Sequence, residues 1–152
     1  MIRRGGHGDV PFMRSMLAHA YGWRVNALET DIPLSRYVEN WGRAGDVALI
    51  ATESGNRVGA AWYRRFTAAA PGYAFVDEDT PELTIAVVPS RRQHGVGGEL
   101  LGELLKRATA DGHRAISLSV EKDSPAVAFY ERHGFARAGE TEHALTMRRD
   151  LS

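Results

Sequence analysis

The feature that most constrains this chain is a continuous segment, residues 83–105, in which a strand pattern passes through a turn into a helix pattern. Leu83–Val88 is apolar and rich in β-branched side chains, which predicts a buried strand ending before Pro89. From about Gly97 the apolar residues follow the period of an amphipathic helix, and these are Leu100, Leu101, Leu104, Leu105 and Ala108. The segment therefore predicts an α/β unit built as strand, turn and helix.

The turn between this strand and helix has the chemistry of an anion site. It contains Arg91 and Arg92, followed by the glycines Gly95, Gly97 and Gly98. Glycine lets a backbone approach a ligand closely, and the first turn of a helix leaves N–H groups without intrahelical acceptors. These N–H groups, the helix dipole and the arginine charges attract a phosphate. The turn therefore predicts a cradle for a phosphate-bearing cofactor.

The spacing of the glycines excludes two common phosphate motifs. A P-loop requires Gly, four residues and then Gly-Lys-Ser/Thr, but Gly102 is followed by Glu103. A dinucleotide fingerprint requires a third glycine at Leu100 and a shorter gap after the strand. Residues 92–97 instead read Arg/Gln-x-x-Gly-x-Gly, directly after Val87-Val88-Pro89. Taken alone, this motif is also compatible with an ordinary basic turn into a helix.

A second strand and helix follow along the chain. Residues 115–120 alternate apolar side chains as a strand does. After them, Ser124 is a favourable N-cap, Pro125 a favourable first helical residue and Gly134 a favourable C-terminal cap. The pattern predicts a short helix between these caps.

The two segments together resemble the signatures of the GNAT superfamily of N-acetyltransferases. The first is similar to the family's acetyl-CoA motif. The second is similar to Asn-x-x-Ala-x-x-x-Tyr-x-x-x-Gly-Phe and matches it at Ala126, Tyr130, Gly134 and Phe135. Asp123 departs from it, because the family commonly has an asparagine there that touches the pantetheine arm. The order and spacing of both signatures argue against chance, and the resemblance covers essentially the full length.

The resemblance implies where acetyl-CoA binds. Backbone N–H groups of the turn would bind the pyrophosphate. A backbone N–H near Val87, where the family's central strand splays from its neighbour, would meet the thioester carbonyl. The implied cofactor-binding residues are Val87, Val88, Arg92, Gln93, His94, Gly95, Val96, Gly97, Gly98, Asp123 and Tyr130.

The resemblance also implies the catalytic groups. Tyr130 is the family's candidate general acid, since a phenol with a pKa of about 10 can give a proton to the CoA sulfur. The alternative is an aromatic residue that packs on the sheet. Glu82 is the candidate base, near where some family members carry a glutamate that acts through water, and the alternative is a polar residue at a strand start. Glu78 and Asp79 are rival carboxylates, and many family members use no dedicated base.

The implied activity is transfer of an acetyl group from acetyl-CoA to a primary amine, directly in a ternary complex. The alternative from another class is a non-catalytic acyl-CoA-binding or sensor module on the same fold, and the presence of Tyr130 favours an enzyme. The acceptor, a small molecule or a peptide amine, is left open. Small domains of the family often pair, so a homodimer is compatible with the resemblance.

Composition narrows the function classes further. The 152 residues are 43% hydrophobic and 25% charged, which predicts one globular domain over residues 1–152. A formal net charge of zero gives no reason to expect nucleic acid or a membrane surface as partner. The chain has no cysteine and no Gly-x-Ser-x-Gly, and its six histidines lack paired metal spacing, so neither a metal site nor a serine hydrolase is expected. With no apolar signal core or spanning run, the expected location is cytoplasmic.

The rest of the chain predicts a mixed sheet of about six or seven strands flanked by about four helices, the α/β architecture of the GNAT fold. The predicted elements are a strand at Ile2–Arg4, a helix from an Asp9 cap to about Tyr21, a second helix from about Pro33 to Gly42, hairpin strands at Val47–Thr52 and Arg57–Phe66, and a closing hairpin over residues 135–149. Trp23, Tyr37 and Trp41 are expected to pack in the core rather than to contact substrate.

Residues 67–82 predict an irregular excursion before the central strand, because they are rich in proline, glycine and acidic side chains. The acidic residues 77–79 form either a solvated loop or a rim that attracts a cationic amine. The sequence gives both interpretations equal weight.

Overall fold

Seven strands and three α-helices make up the described part of the chain. The computed structural model describes residues 1–27, 32–92 and 94–151. The strands are β1 (Ile2–Arg4), β2 (Val47–Glu53), β3 (Asn56–Arg64), β4 (Glu82–Val87), β5 (Ala115–Glu121), β6 (Ala136–Glu140) and β7 (Ala144–Asp150). The helices are α1 (Val10–Ala27), α2 (Val96–Ala110) and α3 (Ala126–Arg132). Within these ranges, none of the helices combines the length and apolar character that a membrane span requires.

All seven strands form one mixed sheet in the order β1-β2-β3-β4-β5-β7-β6. Neighbouring strands are antiparallel except β4 and β5, which are parallel. This architecture confirms the predicted fold class, and both predicted hairpins are present.

Helices cover both faces of the sheet. On one face α2 and α3 pack on β3, β4 and β5, and the predicted apolar stripe of α2 is buried there (Leu100, Leu101, Leu104, Leu105 and Ala108). On the other face α1 packs through Met13, Met16, Leu17 and Tyr21. Tyr37 and Trp41 are buried in this second core, as predicted, whereas the side chain of Trp23 lies outside those described.

The predicted second helix, from Pro33 to Gly42, was wrong. Only a single 3-10 turn forms, at Leu34–Tyr37, and turns follow it. Side chains of β3 take the carbonyl groups that a helix would need: Arg64 Nη1 donates to the carbonyls of Arg36 and Glu39, and Trp62 Nε1 donates to that of Tyr37. The predicted count of about four helices therefore becomes three in the described part.

Asp9 precedes α1 but joins other elements rather than capping the helix. Its carboxylate accepts hydrogen bonds from the Arg3 and Arg57 side chains and from the Gly6 N–H. These contacts, led by that with Arg3, hold the pKa of Asp9 below its usual range. Asp9 therefore connects β1 and β3 to the start of α1. The helix itself extends to Ala27, beyond the predicted end near Tyr21.

Candidate active site

The candidate site lies where β4 and β5 separate. The two strands are paired at a single position, Glu82 with Ser117. Beyond this pair they diverge, and a cleft of about 770 Å³ opens between Leu83–Val87 and Leu118–Glu121. Parallel neighbours normally continue their ladder along their shared length. Their separation therefore exposes one edge of β4 to the cleft.

Alternation along both strands divides the cleft lining into two faces. The α2–α3 face consists of Leu83, Ile85, Val87, Leu118 and Val120 with Arg91, Arg92, Gly95, Gly97, Gly98, Ser124, Pro125, Ala126, Phe129, Tyr130 and Arg132. The α1 face consists of His19, Ala20, Tyr21, Thr84, Ala86, Ser119 and Glu121. Ser117, which shares its side of β5 with the latter group, donates from Oγ to the Ala74 carbonyl at 2.9 Å.

The start of α2 presents an open backbone on the α2–α3 face. Gly95 has φ +85°, a left-handed conformation that favours glycine, and its carbonyl accepts the first helical bond, from the Glu99 N–H at 3.1 Å. The N–H groups of residues 96–98 therefore have no intrahelical acceptor. A Cβ at Gly98 would meet nothing within 4 Å, so packing does not require glycine there. The missing side chain leaves the backbone accessible to a ligand.

Arginines surround this helix start. Arg92 Nε donates to the Val87 carbonyl at 3.3 Å, and its Nη2 lies 3.4 Å from Nδ1 of His19 on α1. Arg91 forms an ion pair with Glu53 at 2.5 Å, and Arg132 reaches the cleft from the end of α3. Together with the N-terminus of α2, these cations favour a multiply charged anion.

The exposed edge of β4 supplies backbone donors. The Val88 N–H donates to the Val58 carbonyl at 2.8 Å and so belongs to the ladder with β3. Because the direction of the N–H groups alternates along a strand, the N–H of Val87 faces the opposite edge, towards the cleft. The N–H of Val87 is therefore open to the cleft, whereas the N–H of Val88 is already used in the sheet.

Tyr130 lies on the α2–α3 face with its ring in an aromatic cluster. Its side chain is 8% exposed and packs against Phe129 and Phe135, with ring centroids at 5.3 and 5.8 Å. No hydrogen-bond partner of its hydroxyl is found among the residues that the structure describes. Burial raises the pKa of Tyr130, so the phenol is protonated at neutral pH. The side chain therefore packs in the aromatic cluster and also lines the cleft, with its hydroxyl protonated.

Two hydrogen bonds position α3 and therefore Tyr130. As predicted, Ser124 lies at the start of the helix, where its Oγ accepts the Ala126 N–H at 3.1 Å. Gly134 ends the helix with φ +88°, and the Phe135 N–H donates to the Tyr130 carbonyl at 3.1 Å.

Glu82 lies at the one paired position of β4 and β5, before the strands diverge, and its side chain is 1% exposed. Its carboxylate accepts the Ala74 N–H at 3.0 Å and the hydroxyl of Tyr37, which in turn accepts the Tyr73 N–H at 2.7 Å. Burial and the nearby Glu82 raise the pKa of Tyr37 well above its ordinary value. Glu82 thus holds the irregular segment of residues 65–81 against the sheet, and it is not part of the described cleft lining.

The structure brings together about half of the predicted cofactor residues. The described lining contains Val87, Arg92, Gly95, Gly97, Gly98 and Tyr130 but not Val88, His94, Val96 or Asp123, and Gln93 lies outside the described residues. His94 and Asp123 are exposed. The rival carboxylates Glu78 and Asp79 are exposed as well and are not in the described lining.

Several lining residues were missed by sequence reasoning, namely His19, Tyr21, Thr84, Ser119, Glu121 and Arg132. The alternation of β5 gave a usable signal for Ser119 and Glu121, since it places them opposite Leu118 and Val120. Within the described ranges, no group of three or more His, Asp or Glu side chains is arranged to hold a metal ion.

Comparisons with known proteins agree with this geometry. The sequence profile of the Acetyltransferase (GNAT) family matches residues 11–135. The fold is similar to that of a ribosomal-protein-alanine N-acetyltransferase from Brucella melitensis, with a TM-score of 0.73, 25% identity and 99% of each chain covered. No curated protein sequence matches the chain.

Two further structures share the fold and were solved with a coenzyme. A phosphinothricin acetyltransferase from Sinorhizobium meliloti in complex with AcCoA has a TM-score of 0.69 and 20% identity over 100% of this chain and 88% of that chain. An aminoglycoside 6'-N-acetyltransferase complexed with coenzyme A has a TM-score of 0.68 and 17% identity over 100% of this chain and 97% of that chain.

Proposed function

Because this chain belongs to the GNAT family of acetyltransferases, we propose that it transfers an acetyl group from acetyl-CoA to a primary amine, directly in a ternary complex. One observation carries the proposal. The α2–α3 face joins an open, arginine-flanked helix start to the hydroxyl of Tyr130 along the exposed edge of β4, and no described residue makes a hydrogen bond with that hydroxyl. This arrangement suits a long ligand with phosphates at one end and a reacting group at the other.

The order of the lining residues along the cleft matches the order of the chemical groups in acetyl-CoA. The N–H groups of residues 96–98, with Arg91 and Arg92, would bind the pyrophosphate. The exposed edge of β4 would pair with the amide groups of pantetheine, and Phe129 offers an apolar wall. The Val87 N–H would donate to the thioester carbonyl, where negative charge develops during the reaction. The complexes of structural neighbours with AcCoA and coenzyme A support this assignment.

The reaction then balances with few protein groups. The amine nitrogen attacks the thioester carbon, a C–N bond forms and the C–S bond breaks. The nitrogen gives a proton to Glu82 through an intervening water, and the CoA thiolate takes one from the Tyr130 hydroxyl. The proton on Glu82 leaves to solvent and the Tyr130 phenolate regains a proton from solvent, so both groups return to their starting states. The products are an N-acetyl amine and CoA with a free thiol. Holding both substrates in one cleft removes much of the entropic barrier to their reaction.

Glu82 remains the proposed base, and its burial limits how it can act. Since its side chain is 1% exposed and outside the described lining, a proton can reach it only through an intervening group or water. We expect Glu82→Gln to remove the ionisation from the acidic limb of the pH profile of kcat/KM. An unchanged profile would assign Glu82 to holding the 65–81 segment alone.

A thermal-shift titration followed by a thiol-release assay tests the proposed function. Ligand at a hundredfold excess over Kd stabilises the folded state by about 2.7 kcal/mol, which corresponds to a Tm rise of about 5 to 11 °C. We expect acetyl-CoA to give a saturable rise and NAD and ATP to give none, and primary amines to release CoA thiol. A thermal shift without thiol release from any amine would favour the non-catalytic acyl-CoA-binding module. No shift with acetyl-CoA would overturn both functions.

A further inference from the structure

The α1 face of the cleft carries one carboxylate that the proposed acetyl transfer does not use. Glu121 is the last residue of β5, is half-buried, and is the only Asp or Glu in the described lining. Its carbonyl accepts the Ser124 N–H at 3.0 Å, which fixes the end of the strand. Within the described ranges its carboxylate has neither an ion pair nor a hydrogen bond. A half-buried carboxylate that lines a cleft and has no partner among the described residues is available to bind a cationic ligand.

The sheet register gives the position of Glu121 relative to the reacting groups. The strands are paired at Glu82 and Ser117, so four residues further along each strand Ala86 and Glu121 stand at the same height, about 13 Å from the pair. This height is next to Val87, the proposed carbonyl donor. By alternation, however, Glu121 faces the α1 side, and Tyr130 packs on the α2–α3 side. The carboxylate is therefore level with the thioester but on the opposite face from the acid.

The arginines of the lining come from the segments that form the α2–α3 face. Arg91, Arg92 and Arg132 belong to these segments, where phosphates would neutralise them, although Arg92 also reaches across to His19 of α1, with Nη2 3.4 Å from Nδ1. The groups that share the α1 face with Glu121 are hydroxyls, a histidine and alanines; among them the Tyr21 hydroxyl lies 3.2 Å from Thr84 Oγ1. Hydroxyl oxygens and a carboxylate together accept the N–H groups of a cation.

We propose that Glu121 binds a second positive charge of the acceptor, so that the preferred acceptors are amines with a further cationic group. This inference rests on the proposed function. The attacking nitrogen itself must be uncharged, and a carboxylate in contact with it would stabilise its unreactive ammonium form. A charge elsewhere in the acceptor can stay paired with Glu121 throughout the reaction. Diamines and basic peptide amines have this chemistry.

A matched pair of acceptors tests the inference. Putrescine and aminobutanol have nearly the same length and the same reacting amine, but only putrescine carries a second charge. We expect the wild type to prefer putrescine by at least about tenfold in kcat/KM, mainly through KM, as one charge-assisted hydrogen bond allows. In Glu121→Gln the preference should fall to about twofold or less, with aminobutanol turnover retained. Glu131→Gln, which removes a charge on the exposed surface of α3, should keep the preference.

The outcomes separate this inference from the proposed function. Equal losses for both amines in Glu121→Gln, or an unchanged preference, overturn the inference while thiol release still supports the transferase. If neither amine releases thiol but acetyl-CoA raises Tm, the inference is tested by measuring the binding of putrescine to the CoA-saturated protein by calorimetry. Binding that weakens about tenfold in Glu121→Gln supports the acceptor site, and binding that does not change, or is absent in the wild type, overturns it.

Discussion

The two faces of the cleft are built in different ways. The α2–α3 face comes almost entirely from two continuous segments, residues 83–98 and 118–132, each a strand followed by a helix. The α1 face combines α1 with β4 and β5, so its residues lie far apart in the sequence. A binding face made of continuous segments can be kept whole in related proteins that share a ligand. A face that also needs residues from a separate helix can be altered by changes in that helix, and so can differ with the acceptor. We infer that cofactor binding is encoded locally and acceptor recognition by tertiary structure.

The support of the α1 face is correspondingly long-range. Tyr21 packs against Tyr37 and Tyr73, with ring centroids 5.2 and 5.3 Å away. The backbone on either side of Tyr37 is held by Arg64 of β3, whose guanidinium is fully buried, pairs with Asp46 at 2.7 Å and lies 5.1 Å from the Trp41 ring. Removing one partner of a buried pair leaves an uncompensated charge. Substituting Arg64 should therefore disturb the α1 face without disturbing the α2–α3 face.

The largest expected effect is that of Arg64→Met. Loss of the buried partner of Asp46 and of the Arg36 and Glu39 carbonyls should lower the free energy of unfolding by about 3 to 5 kcal/mol. A chain of this size should then lose about 10 °C in Tm. Measured well below the new Tm, the KM of the amine should rise, whereas the Kd of acetyl-CoA should stay unchanged.

Arg107→Met is the matched control, since it removes an exposed ion pair with Asp111. Exposed pairs contribute about 0 to 1 kcal/mol, so its Tm should hardly change. If Arg64→Met weakened acetyl-CoA binding as much as amine binding, the two faces would not be independent.

Tyr130→Phe tests the catalytic end of the α2–α3 face. Loss of a general acid should lower kcat by about a hundredfold or more, without change in the Kd of acetyl-CoA. Because the hydroxyl has no hydrogen-bond partner within the described ranges, Tm should be retained. Tyr63→Phe serves as the control: its hydroxyl donates to Asp111 at 2.6 Å, away from the described cleft lining, so it should keep full kcat. Wild-type turnover in Tyr130→Phe at every pH would reduce Tyr130 to a packing residue.

Gly98→Leu tests the cofactor end of the same face. A Cβ at this position enters open space beside the helix start, so a larger side chain should occupy the phosphate site and raise the Kd of acetyl-CoA about tenfold or more. Gly102→Leu adds the same side chain to open space one turn further along α2, away from the cleft. It should leave the Kd unchanged. Equal effects of both variants would mean that the start of α2 does not contact the cofactor.

The same contrast explains how much of the molecule could be predicted. The strands and α2 follow from local periodicity, and the residues of the strand–turn–helix segments that reach the cleft, such as Gly97 and Tyr130, lie within continuous motifs. The helix predicted at 33–42 failed because Arg64 and Trp62 compete for its carbonyls from a strand far along the chain. Periodicity records which residues are buried, and they are buried here, but it does not record which group satisfies a carbonyl.

The α1 face escaped prediction for a related reason. The alternation of β5 places Ser119 and Glu121 on one side, but whether that side faces a core or a cleft depends on where β4 and β5 stop pairing. The point where pairing stops depends on how the two strands pack together, so it cannot be predicted from the sequence of either strand alone. Glu82 is the converse case: its position and charge could be read from the sequence, but its hydrogen bonds to Ala74 and Tyr37, which lie on separate segments, could not.

The smallest expected effect is that of neutralising the acidic residues 77–79, the alternative source of attraction for a cationic acceptor. The carboxylates of Asp77 and Glu78 accept backbone N–H groups of Asp79 and Ala68, at 2.9 and 3.1 Å, so they serve the loop itself. All three residues are exposed, where charges are screened within about 8 Å at physiological salt. The triple variant Asp77→Asn, Glu78→Gln, Asp79→Asn should therefore keep the preference for putrescine over aminobutanol within about twofold.

Measuring the preference at several ionic strengths in the two variants distinguishes the two carboxylate sites. A contribution from the exposed residues 77–79 should fade as salt is raised, whereas a half-buried pair with Glu121 is screened much less. We expect the preference for putrescine to persist at high salt in the triple variant and to be absent at every salt concentration in Glu121→Gln. The reverse pattern, a salt-sensitive preference lost in the triple variant and kept in Glu121→Gln, would move acceptor recognition from the α1 face to the 65–81 segment.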